Sequence, residues 1–151
     1  MYKRQEPLRT AIEGRCGLPV VIENDANAAA WAEERFGAGR GEDHVVILTI
    51  GTGLGGGIVH DGRLLRGRFG IAAEIGHINI VPHGRWCGCG LEGCWEQYAS
   101  GHALVLEAQE LAKAAPAMAK DMLRLAGGEP EMITGPVVTE AAREGLSLIH
   151  I

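Results

Sequence analysis

Residues 74–97, "EIGHINIVPHGRWCGCGLEGCWEQ", gather three of the chain's four cysteines, two histidines and the acids Glu74 and Glu96. His77, Cys87, Cys89 and Cys94 supply one imidazole and three thiolates, a set that closes a tetrahedral structural zinc site. Gly88, Gly90 and Gly93 let the backbone turn tightly enough to aim the sulfurs inward. The Cys-x-Cys pair departs from the commoner Cys-x-x-Cys knuckle. On spacing alone His83 serves as fourth ligand as well as His77, an iron–sulfur cluster accepts the same donors, and unliganded thiols in a turn are the plain alternative. Glu74 and Glu96 flank the loop; a fixed metal would turn both into preorganised acceptors for a polyol, and without one they are surface acids.

Composition bounds the rest. At 151 residues the chain can bury one sizeable core. Its formal net charge of −5, with acids and bases interspersed, argues against a surface that tracks nucleic-acid phosphates. No apolar run has the length of a membrane span, and no signal peptide is visible. Thiols this close together do not form an ordinary disulfide framework, which favours a reducing, cytoplasmic setting. The 23 glycines cluster at turns rather than forming a linker. The terminal stretches read differently: "MYKRQ" and "LSLIHI" translate the two strands of a transposon end used in sequencing libraries. Residues 1–5 and 146–151 are therefore expected to be adapter-derived, and 6–145 to be the natural piece, cut at both ends.

Along the chain, "LPVVIE" (18–23) predicts a short buried strand, and "NDANAAAWAEERFG" (24–37) a helix closed by Gly37. "HVVILTIG" predicts another buried strand, and Asp61-Gly62 between apolar runs predicts a tight hairpin. "HINIV" predicts a third short strand. Residues from about Trp95 to Ala126 are expected to be helical with a break near Pro116, and "EMITGPVVTEAAREG" a loop followed by the start of a helix. Cys16 is expected to be a buried filler, and Trp31, Trp86 and Trp95 to be core or loop-packing residues. Strands with glycine turns followed by helices give an α/β fold class.

Two further stretches carry chemistry. In "IENDANAAA" Asn24 and Asp25 fall where a buried strand is expected to hand over to a helix, a common ligand position in α/β folds. A carboxylate there accepts a proton from an attacking hydroxyl; the same Asn24, Asp25 or Asn27 serves equally as a helix N-cap. In "TIGTGLGGGI" the glycines after a strand let backbone N–H groups approach phosphate oxygens, with Thr52 offering a hydroxyl. No Walker lysine follows, so this is no P-loop, and a ligand-free glycine turn is the alternative.

Together these stretches resemble the ROK family of repressors and sugar kinases, most closely its bacterial glucokinase branch. "EIGH" is similar to the family's E-x-G-H sugar motif, and "CGCGLEGCWE" matches its C-x-C-G-x-x-G-C-x-E zinc motif at every fixed position. The resemblance runs from about Pro19 to Gly145 and implies an actin-like, ribonuclease-H-type ATPase fold. It implies ATP-dependent phosphorylation of a hexose, glucose foremost, with Mg2+ accompanying ATP and zinc as a structural ion. Asp25 would be the base for the sugar 6-hydroxyl, while Asn24, Glu74, His77 and Glu96 would hydrogen-bond the other hydroxyls. His77, Cys87, Cys89 and Cys94 would hold zinc, and Gly51, Thr52, Gly53, Gly55 and Gly56 would face the ATP phosphates. Family members commonly form homo-oligomers. The family's first phosphate motif, its earliest sugar loop and its adenosine-binding segment are absent, so the expectation is negligible turnover by this polypeptide alone and an apolar face left exposed. A transcriptional repressor or sugar-sensing domain of the same family is the alternative; nothing in the segment supplies a recognition helix.

Overall fold

The computed structural model describes residues 7–145; the two stretches read as adapter-derived lie outside them. Within the described part the chain forms two compact units, residues 7–47 with 57–72 and residues 48–56 with 73–145.

The first unit begins with α1 (Leu8–Cys16), closed by Gly17 in the left-handed region at φ 64°. "LPVVIE" is not a strand. Residues 18–23 make no sheet pairing, Leu18 sits in a bend, and Val21 is 79% exposed. Cys16 is likewise exposed rather than buried. Helix α2 (Asp25–Phe36) starts where the sequence places it. Asn24 is the N-cap, its Oδ1 accepting the Asn27 N–H at 3.0 Å, and the Gly37 N–H closes the end on the Glu33 carbonyl. Trp31 is half-exposed, edge-on to Phe36 at 5.8 Å, so it packs along its own helix and not into a core.

The sheet has the order β1 (Val45–Ile50), β2 (Leu54–His60), β3 (Arg63–Leu64). The unit boundary falls partway along β1 and β2. Asp61 and Gly62 take φ of 51° and 65°, the left-handed pair a two-residue hairpin turn demands, and pair β2 with β3 in the register Val59↔Leu64 and His60↔Arg63. Gly57 lets β2 approach α2: a Cβ there would run into that of Ala30. "HVVILTIG" does form a strand but not a buried one: no β1 residue is buried, and alternation leaves Val46, Leu48 and Ile50 as an exposed apolar face.

In this unit Arg66 Nε donates to Glu23 Oε2 at 2.5 Å, and Glu23 Oε1 receives Asn27 Nδ2 and the Asn24 N–H. The Arg66 guanidinium holds the Glu23 carboxyl below its ordinary value. A depressed carboxylate contributes stability above its unfolded pKa and loses it as pH falls through the folded value. Arg66→Met is therefore expected to cost about 0.5–1 kcal/mol at pH 7, the pair being partly solvated, and nothing at pH 2. Urea midpoints at the two pH values measure this; an equal loss at both would assign Arg66 a packing role only.

In the second unit "HINIV" is not a strand: its first residue ends a 3₁₀ turn over Ile75–His77, and its central Asn79 makes a single antiparallel bridge to Cys94. A second 3₁₀ turn covers Trp95–Gln97; the long helix begins only at Gly101, capped by Ser100, and runs as α3 (Gly101–Ala114). It stops before Pro116, as the sequence requires. Helices α4 (Lys120–Leu125) and α5 (Gly135–Arg143) then pack on α3. Ala108, Ala112, Ala119 and Ala141 admit close helix approach, while Met122, Ile133 and Val138 fill the centre. Each of those three larger side chains contributes about 1.5–3 kcal/mol on burial. Among the described residues no helix is long and apolar enough to cross a membrane.

Candidate functional site

The candidate residues divide between the units. Asn24 and Asp25 stand exposed at the start of α2 in the first, Asp25 Oδ1 accepting the Ala26 N–H at 2.9 Å. Asn27, also a capping candidate, is instead buried. All the others belong to the second unit.

There the cysteine loop is built by backbone bonds. Cys87 N–H donates to Leu91 O at 2.7 Å, Gly93 N–H to Arg85 O at 2.8 Å, and Trp95 N–H to Ile78 O at 2.9 Å. Gly90 and Gly93 take φ of 94° and 71°, and a Cβ on Gly93 would collide with the Val81 carbonyl. The result brings His77, Cys87, Cys89 and Cys94 together with all ligand atoms within 4.8 Å of one another. His83 is left out of this group; its Nδ1 lies 3.8 Å from Glu92 and its side chain is solvated. Trp86 is exposed rather than packed, and Trp95 half-buried.

The donor set fits a tetrahedral ion. Cys89 and Cys94 Sγ are 3.6 Å apart, as are Cys87 Sγ and His77 Nδ1. Metal–sulfur bonds of about 2.3 Å at tetrahedral angles require edges of about 3.5–3.8 Å. The sulfur pair is also far beyond a disulfide bond of about 2.05 Å. Burial pushes the Cys87 thiol up and the Cys94 thiol up to about 12, whereas the Leu91 N–H lowers Cys89.

Glu96 connects this cluster to the glycine turn. Its Oε1 lies 3.2 Å from Cys87 Sγ and 3.8 Å from His77 Nδ1, while a Cβ on Gly53 would stand 3.1 Å from its Oε2. The E-x-G-H segment packs on the start of β2: a Cβ on Gly76 would strike the Leu54 carbonyl, and one on Gly56 would meet Ile75. Glu74 is exposed beside it. Gly51 and Thr52 carbonyls accept the Gly101 and His102 N–H groups at 2.8 and 3.2 Å, fixing the turn to the start of α3. Between them opens a hollow of about 320 Å³ lined by Gly51, Thr52, Gly101, His102, Val105 and Gly135. Gly51, Thr52 and Gly53 are exposed, whereas Gly55 is half-buried and Gly56 buried within β2. The first three are therefore the accessible part of the predicted phosphate turn.

The ROK family signature matches residues 1–145. The chain belongs to the ROK family. It is 57% identical over 142 residues to a glucokinase of Streptomyces coelicolor, covering 94% of this chain and 45% of that protein. A solved ROK family glucokinase from Streptomyces griseus, in complex with glucose and AMPPNP, superposes at a TM-score of 0.83 with 59% identity, over 95% of this chain and 46% of that one. The xylose repressor of Bacillus subtilis is 42% identical over 106 residues, 70% of this chain and 28% of that protein. The chain thus spans about half the length of the glucokinases it matches.

One organising residue has no signature in the sequence. Arg85, on the cysteine loop, donates its N–H to Tyr98 Oη at 2.6 Å and Nη1 to Gln97 O at 3.2 Å. Its Nη2 pairs with Glu107 and Glu110 of α3 at 2.7 and 2.9 Å. It thereby ties the loop to the turn bearing Glu96 and to the first long helix of the core. Arg85→Met is expected to lower stability by about 1–2 kcal/mol and to speed release of zinc loaded onto the cluster to a chelator, should the cluster hold it, with Arg85→Lys intermediate. Thermal melts and chromogenic chelator traces measure both; unchanged release kinetics in Arg85→Met would remove the clamp from the account.

Proposed function

We propose that this chain is the central portion of an ATP-dependent hexose kinase that converts glucose to glucose 6-phosphate. The observation that carries the reading is the position of Glu96, one carboxylate oxygen against the cysteine–histidine cluster and the other against Gly53 of the glycine turn. One residue is thereby shared by a metal-type clamp and a phosphate-type turn. The named glucokinase relatives, at 57–59% identity, support the same activity and glucose as acceptor.

In this reading His77, Cys87, Cys89 and Cys94 would hold zinc, which would cross-link the loop and leave no coordination position open for chemistry. His77 turns its second ring nitrogen to the sugar, and with Asn24, Glu74 and Glu96 hydrogen-bonds the hydroxyls that do not react. Asp25 accepts the proton of the 6-hydroxyl as that oxygen bonds to the γ-phosphorus of ATP. The bond from phosphorus to the β–γ bridging oxygen breaks and ADP departs; a Mg2+ accompanying ATP would offset the phosphate charge. Backbone N–H groups at Thr52 and Gly53 face the phosphates, Gly51 closing the turn beside them through its N–H bond to Gly53 O and Gly55 and Gly56 supporting it from β2. Catalysis is thus positioning plus one proton acceptor. In this reading the intact protein works in the cytoplasm as a homo-oligomer, and the present segment binds neither nucleic acid nor membrane.

A repressor or sugar-sensing reading within the family draws on the xylose repressor match. The exposed carboxylate of Asp25 in the first turn of α2, available as a proton acceptor, favours the kinase. Coupled assay of the intact protein with glucose and ATP tests the choice: turnover at ordinary kinase rates is expected, and sugar binding without any phosphorylation would favour the repressor. The 151-residue chain alone is expected to turn over negligibly.

A further inference from the structure

A second group of metal-type donors lies in the first unit, away from the cysteines in sequence. His44 directly precedes β1, His60 closes β2, and Asp61 opens the hairpin turn to β3. Because β1 and β2 are neighbours in the sheet, the two imidazoles face each other, ring centroids 4.7 Å apart. The turn then brings the carboxylate between them: Asp61 Oδ1 is 3.6 Å from His44 Nε2 and Oδ2 is 3.3 Å from His60 Nδ1. One donor atom from each residue lies within 4.8 Å of the others.

The scaffold is fixed by backbone rather than by side-chain packing. Gly62 N–H donates to Asp43 O at 2.9 Å, and Asp61 holds its left-handed φ of 51° in the turn. Both imidazoles and the carboxylate are solvated, so an ion seated among them would keep water in its remaining positions. We propose that His44, His60 and Asp61 form a surface site for a divalent transition-metal ion of the zinc or nickel type. Two imidazoles and one carboxylate are the donors such ions prefer, and magnesium or calcium would want oxygen instead. The Asp61 N–H contact to His44 Nδ1 is long, at 3.4 Å. An ion on His44 displaces either that weak contact or the proton on Nε2.

The site is tested on the whole 151-residue chain already holding one zinc per molecule, by calorimetric titration with further Zn2+. A second saturable equivalent is expected. His60→Ala and His44→Gln should each weaken it roughly tenfold or more, and Asp61→Asn, which tolerates the turn, by a smaller factor. Mg2+ at the same concentrations should give no heat. Absence of a second equivalent, or one that survives both histidine substitutions unchanged, overturns the proposal. Circular dichroism of the variants confirms that a loss of binding is not a loss of fold.

Discussion

Replacing Asp25 with asparagine in the intact protein is expected, on the proposed kinase reading, to lower kcat about 10³-fold while moving the KM for glucose by less than about threefold. General-base positions contribute about 10²–10⁴-fold, and an amide in the same place still accepts a hydrogen bond from the sugar but takes no proton. The fold should not notice. Asp25 is exposed at the first turn of α2, and the cap that starts the helix is supplied by Asn24, not by Asp25. The aspartate's charge near the helix N-terminus is worth only about 0.3–1 kcal/mol. A rise in KM with kcat intact would reduce Asp25 to a sugar ligand and remove the base from the mechanism.

The second large effect is at the cluster. On the proposed zinc reading, Cys94→Ser should reduce bound zinc from one per chain to a small fraction and lower stability by about 3 kcal/mol or more, since a structural zinc would be coupled directly to folding. For a protein of this size that is a fall in Tm of about 10 °C. Cys94 is fully buried and bridged to Asn79, so its loss reaches both the E-x-G-H segment and the Glu96 turn that follows it. Cys16→Ser, by contrast, should change neither zinc content nor Tm, because Cys16 is exposed and remote from the cluster in sequence. Metal analysis with paired thermal melts reads both variants; a wild-type Tm for zinc-free Cys94→Ser would show that the loop folds without an ion.

What could be read in advance follows from how local its cause is. The cysteine cluster was legible because ligand type and glycine placement are written within a few residues, although spacing alone could not choose His77 over His83. Asp61-Gly62 was legible for the same reason, since a left-handed pair fixes its own turn. "LPVVIE" was not: a β-branched apolar run declares a need for burial but not which strand supplies it, and here Val21 lies exposed without a partner. "HINIV" failed through competition, its backbone being claimed by bonds to Gly93 and Trp95 of the cysteine loop. Cys16 failed because apolar character alone does not place a residue inside. Arg85 was invisible because its partners lie 12–25 residues away, in a relation no periodicity encodes.

The central claim is that the metal clamp, through His77 and Glu96, shapes a hexose pocket. Glucose titration calorimetry on zinc-loaded and zinc-stripped protein, both verified as folded by circular dichroism, tests it most directly. Saturable glucose binding that disappears with the metal and returns on adding one equivalent of Zn2+ is the predicted result. An equal Kd in the presence and absence of zinc would contradict the account.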